Sequence, residues 1–171
     1  MEYNQLENNQ EEAKRPTFLL VLCILTFVNT GFTILSGLSG VFSGPPSAQD
    51  IKESNVQMAE SISQLEKVNL DYWVDVIKRI QLMTEAIYAN FIAYNAVSIV
   101  VAMVGVAAAA LMLKGKKIGF HVYIGYSFLY VLQGYLFISA AVIPSFIVII
   151  NLLIASLFVL LYSRNLSWMN K

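Results

Sequence analysis

Apolar and polar positions divide this chain into long uncharged runs and one long patterned stretch. Four runs, at residues 17–43, 88–113, 118–142 and 145–163, contain no Asp, Glu, Lys or Arg. A hydrocarbon core about 30 Å thick is crossed by about 20 helical residues, and each run reaches or nearly reaches that length. The pattern predicts an all-α polytopic membrane protein with four transmembrane helices.

The stretch at 44–87 reads differently. Gly44-Pro45-Pro46 ends the first run, because tandem prolines lack the amide donors a continuing helix needs. Ser47 with Asp50 three residues on resembles a capping box, in which each residue satisfies an amide of the other. Beyond it Met58, Ile62, Leu65, Trp73, Val76, Ile80, Met83 and Ile87 recur at mostly three- and four-residue steps, with Asn69 filling the gap in the stripe. No Pro or Gly interrupts residues 48–104, so the spacing predicts one amphipathic helix continuous with the second span, up to about 80 Å long. Such an apolar face needs a cover. The near-heptad spacing suits a coiled coil with a second copy or with another membrane or periplasmic protein, and Tyr72 and Trp73 suit a position on the lipid surface.

Charge sets the orientation. Lys14, Arg15, Lys114, Lys116, Lys117, Arg164 and Lys171 fall on one side of four alternating spans, whereas on the other Lys52, Lys67, Lys78 and Arg79 are outnumbered by acidic residues. The positive-inside bias places both termini in the cytoplasm, as expected in a bacterial inner membrane. The expected order is a disordered cytoplasmic tail at 1–16, a span at 17–43, the extracytoplasmic helix at 44–87, a span at 88–113, a tight turn at 114–117, spans at 118–142 and 145–163, and a cytoplasmic tail at 164–171. A secretory leader has an apolar core of about 7–15 residues, and the first run is far longer, so it reads as an uncleaved anchor.

With 57% hydrophobic and 13% charged residues against a soluble norm of roughly 25% charged, the chain is not expected to dissolve without lipid. One cysteine, Cys23, and one histidine, His121, exclude an intrachain disulfide and a Cys/His metal site. No cluster of His, Asp and Glu and no nucleophile turn points to catalysis, so a non-enzymatic protein without a cofactor is expected, and the lysine turn is too generic to indicate nucleic acid. Every span carries an amide side chain, Asn29, Asn95, Gln133 and Asn151 in turn, expected to turn inward and bond across helices. Ser36, Gly40 and Gly44 form a small-residue row for close packing, which Ala102, Gly105 and Ala109 complement on the second span. Tyr123, Tyr126, Tyr130, Gln133 and Phe137 form a stripe on the third, and Tyr162 and Trp168 suit an interfacial aromatic belt.

The opening Arg15-Pro16-Thr17-Phe18-Leu19, followed by Val21 to Phe27, resembles the start of uncharacterised four-span bacterial membrane proteins. The resemblance implies the span count and carries no functional residue. Small multidrug transporters depend on a carboxylate in the first span that is absent here, and claudin-like proteins carry paired loop cysteines that this chain lacks. Two functions remain: a scaffold or subunit that binds itself or a partner through the exposed stripe, and a passive channel or carrier for a small uncharged or zwitterionic solute. In a Cys23→Ser background, cysteine at Ser54 or Gln64 is expected to react with a membrane-impermeant thiol reagent in intact spheroplasts, and cysteine at Ser167 is not. Labelling at Ser167 alone would invert the orientation.

Overall fold

A computed structural model describes residues 15–169; Lys14, Lys171 and nearly all of the tail expected at 1–16 lie outside them. The described residues form an all-α protein: α1 (Thr17–Ser43), α2 (Ala48–Lys67), α3 (Asp71–Ala89), α4 (Phe91–Leu113), α5 (Lys117–Leu132) with a 3-10 turn at Gln133–Leu136, and α6 (Ser145–Ser163). Of these α1, α4 and α6 are long and apolar enough to cross a membrane. Their outward faces are correspondingly apolar, with Val28, Phe32 and Leu35 on α1 and Leu153, Leu157 and Leu160 on α6 all exposed.

The core is the packing of α1 and α5 on either side of α4. α1 runs antiparallel to α4, so that Cys23 meets Ala109, Thr30 meets Gly105, Gly37 meets Ile99 and Gly40 meets Asn95. Without a hydrophobic drive to separate helices from lipid, close backbone approach supplies the attraction, and glycine permits it. A Cβ on Gly37 would stand 2.7 Å from Ile99, and one on Gly105 would stand 2.8 Å from the Tyr126 ring and 2.9 Å from Thr30. The face of α1 in the core carries Cys23, Thr26, Thr30 and Gly37, all buried, while of the expected row Ser36 is exposed and Gly40 packs against Asn95 of α4.

The turn between α4 and α5 closes by local chemistry. The Lys116 amide donates to Leu111 O at 3.1 Å and the Gly115 amide to Met112 O at 2.9 Å, with Gly115 left-handed at φ 73°. These are the two bonds of a Schellman end, which satisfies carbonyls the helix leaves open. The chain after α6 folds back here instead of trailing away, with Met169 buried and Trp168 against Gly115.

The continuous helix expected from 48 onward is instead three helices. At the first break Asn69 takes φ 56°, the Leu70 amide donates to Leu65 O at 3.1 Å, and the Asn69 amide donates to Glu66 O at 3.2 Å. This is the same Schellman geometry with Asn in place of Gly. Asparagine is the side-chain-bearing residue that most readily enters the left-handed region, so the absence of glycine did not guarantee continuity. The second break is the single residue Asn90, at φ −120° and ψ 28°, between α3 and α4. Because of the first break α2 folds back on α3, and the Gln81 amide donates to Asn55 Oδ1 at 3.4 Å.

α2 begins with the expected capping box. The Asp50 amide donates to Ser47 Oγ, and the Ser47 amide and hydroxyl both donate to the Asp50 carboxylate. The hydroxyl, then the amide, holds the Asp50 carboxyl below its ordinary value. That contribution is present above the ordinary carboxylate range and is lost as pH falls through the lowered folded value.

The third apolar run also departs from expectation, since α-helical geometry stops at Leu132 and the 3-10 turn ends at Leu136, rather than near residue 142. Residues 137–144 form a turn-rich connection to α6, anchored by Arg79, which donates to Ala141 O at 2.7 Å and pairs with Asp75. Asn69→Gly is expected to leave the thermal midpoint in detergent unchanged or raised, and Asn69→Val to lower it by an amount equivalent to about 1–2 kcal/mol, because a β-branched residue resists positive φ. Equal midpoints for the two variants would show that the left-handed break does not constrain the hairpin.

Candidate functional site

Two cavities lie where α6 leaves the core. α6 touches α5 and α1 more sparsely than α1 and α5 touch α4, and Tyr162 is its main anchor. Tyr162 is 0% exposed, its hydroxyl is 2.8 Å from Thr26 Oγ1, and its ring centroid is 4.5 Å from that of Tyr123. It is a core residue bonded across helices rather than part of an interfacial belt. Thr26 and Thr30 sit one turn apart on α1, and the Thr30 hydroxyl donates to Thr26 O at 2.7 Å. Cys23 makes a longer contact, with its thiol 3.7 Å from Ala109 O.

Beyond this anchor α1, α5 and α6 separate around an inner cavity of about 330 Å³, lined in part by Thr26, Asn29, Tyr126, Tyr130, Asn151 and Phe158. Helical periodicity on α5 brings Tyr123, Tyr126 and Tyr130 to this one side, their rings in sequence at 5.5 and 6.1 Å. Asn29 of α1 lines the same cavity. No Asp, Glu, Lys or Arg lines the cavity.

An outer cavity of about 220 Å³ lies toward the α2–α3 hairpin, walled by Met83 and Ile87 of α3, Tyr94 of α4, and Gln133 and Tyr135 of the 3-10 turn. Tyr130 and Asn151 line both cavities and form the partition between them. Gln133 Oε1 is buried without a hydrogen-bond partner. The departure from α-helix thus falls at the wall of a cavity.

The amides expected to join helices are therefore placed unequally. Asn29 and Asn151 face the inner cavity and Gln133 the outer one, while the Asn95 amide donates at 2.8 Å to Phe91 O of its own helix and packs against Gly40. The exposed-stripe residues are partly covered within the chain, with Trp73 still exposed. Met58, Ile62 and Leu65 are the half-buried side of α2, whose neighbour is α3. Val76 is buried, Ile80 is half-buried, Met83 lines the outer cavity, and the Trp73 ring meets Phe146 of α6 at 6.2 Å. His121 is exposed, with Nδ1 3.1 Å from Lys117 O, away from both cavities.

Sequence reasoning missed Thr26 and Thr30 and gave Tyr162 a different role. The signal of the two threonines was available as polar groups at three- and four-residue spacing on the same face of α1 as Cys23 and Gly37, whereas a tyrosine near a span end also fits a belt. Neither a protein family, nor a curated protein, nor a solved structure matches this chain. The expected coupling between Thr26→Val and Tyr162→Phe in a double-mutant cycle is about 0.6–1.7 kcal/mol, read from unfolding in detergent. Strictly additive effects would mean that the contact contributes nothing.

Proposed function

We propose that this is a non-enzymatic, four-span integral membrane protein that holds a small uncharged or zwitterionic solute between α1, α5 and α6, as a passive carrier or channel. The fourth span is α5 with its 3-10 turn. Sixteen α-helical residues reach about 24 Å and the four residues of the turn add about 8 Å, enough for a core of about 30 Å. Four spans return both ends of the chain to the lysine-rich side, which the positive-inside bias assigns to the cytoplasm, and leave the α2–α3 hairpin outside.

The observation that carries the functional reading is the convergence of Asn29, Tyr126, Tyr130 and Asn151 from three helices on one cavity without an ionised side chain. Hydroxyls and amides in an apolar surround orient a ligand by hydrogen bonds, and binding pockets combine apolar walls with a few such groups. The lack of a carboxylate argues against coupling to a proton or cation gradient. The scaffold reading draws less support, because part of the stripe that motivated it is covered where α2 meets α3 and at the outer cavity, although Trp73 stays exposed.

Cysteine accessibility tests the proposal. In a Cys23→Ser background, Asn151→Cys is expected to react with a small water-soluble methanethiosulfonate at least an order of magnitude faster than Leu153→Cys on the outward face of α6. Equally slow labelling at both positions would mean a dry cavity and would remove the basis for a solute path.

A further inference from the structure

We infer that the tip of the α2–α3 hairpin is a membrane anchor, with Val68, Leu70, Tyr72 and Trp73 seated in the lipid headgroup layer beside the first turn of α6. The inference rests on α4 and α6 as spans and makes no use of the solute path.

Contacts at both ends fix the depth at which α3 lies. Its C-terminal end joins α4 through the single residue Asn90, and near its N-terminal end the Trp73 ring meets Phe146, the second residue of α6, at 6.2 Å. Between these ends Arg79 donates to Ala141 O at 2.7 Å, in the connection that leads into α6. Met83 and Ile87 wall the outer cavity together with Tyr94 of α4 and Ile147 of α6. Nineteen residues make a helix of about 28 Å. A helix of that length, held at its two ends by the starts of two spans, lies across the end of the bundle near the plane of the membrane surface. It does not project into water.

The left-handed turn at Asn69 comes immediately before α3, so the hairpin tip sits at the same level. Val68, Leu70, Tyr72 and Trp73 are all exposed there, with the Tyr72 and Trp73 rings edge-on at 5.4 Å. Single exposed apolar residues are ordinary, but four within six positions form a patch that needs a cover. Lipid is the neighbour at this place. α6 buries only Tyr162, at its far end, and Ile149, Ile150 and Leu153 near its start are exposed. Tyrosine and tryptophan favour the headgroup layer, where the ring is shielded while the hydroxyl or indole N–H still meets polar partners. Charge sets the limit of insertion. Glu66, Lys67 and Asp71 flank the patch and are exposed, and ionised side chains are costly to carry into hydrocarbon, so the tip stays among the headgroups.

Tryptophan fluorescence tests the assignment, because Trp73 and Trp168 are the two tryptophans of the chain. In phosphatidylcholine vesicles, the emission of Trp168→Phe protein is expected to be quenched about twofold more by a nitroxide near the top of the lipid acyl chain than by one near its end. Iodide, present on both faces, is expected to quench it several-fold less than it quenches free N-acetyltryptophanamide. Iodide quenching equal to that of the free compound would put the tip in water and overturn the anchor. No quenching by any probe would mean that protein covers the tip, a second copy included, and a deep nitroxide that matches or exceeds the shallow one would put Trp73 in hydrocarbon; either result overturns it as well. If Trp168→Phe fails to fold, the difference between wild-type protein and Trp73→Phe supplies the same reading. Labelling of Asn151→Cys reads the solute path and does not depend on these outcomes, so either proposal can fail alone.

Discussion

The close approach of α1 and α5 to α4 is the constraint on which the rest of the structure depends. In a lipid-like surround apolar side chains gain little by leaving one apolar neighbour for another, so helices associate where their backbones can come near. Gly37, Gly105 and Gly119 provide that nearness, and at each a Cβ would fall within 3.0 Å of a neighbouring atom. Gly105 matters most because Thr30 of α1 and Tyr126 of α5 both converge on it. One missing side chain sets the spacing of three helices at once.

The tight core leaves α6 loosely held, and the cavities follow from that difference. α6 has bulky Ile, Leu and Phe residues where α1 and α4 have small ones, and Tyr162 is its only buried side chain. The Tyr162 hydroxyl fixes one end of α6 to Thr26, and Phe146 meets Trp73 of α3 at the other. Between these anchors α5 and α6 diverge, so that Tyr130 and the amides of Asn29 and Asn151 border open space while Tyr123 and Tyr126 keep their rings in the core. A polar group that packs and one that lines a cavity differ here by the bulk of the opposing helix, not by residue type.

The α2–α3 hairpin depends on one backbone conformation. The left-handed Asn69 reverses the chain, and the reversal gives the apolar side of α2 a neighbour in α3. The apolar side of α3 then covers the end of the core, where Met83 and Ile87 wall the outer cavity. Part of the surface that a straight helix would offer to another molecule is used within the chain.

The sequence by itself determined the helical class, three helices long and apolar enough to cross a membrane, the capped start of α2 and the tight lysine turn, because each follows from local composition: uncharged length, a Ser/Asp pair, and a glycine between helix ends. The residues of the candidate site were also visible, as an amide in every apolar run and a tyrosine stripe. Their roles were not, because periodicity gives the face of a helix but not the size of what stands opposite. Asn95 and Gln133 are both amides in apolar runs, yet one bonds within its helix and the other ends at a cavity without a partner. The hairpin was hidden for a related reason: Asn69 suits either a helix or a left-handed break, and the apolar surface that α2 and α3 cover together favours the break. Only the tertiary structure decided these choices, since each depends on a neighbour more than ten residues away.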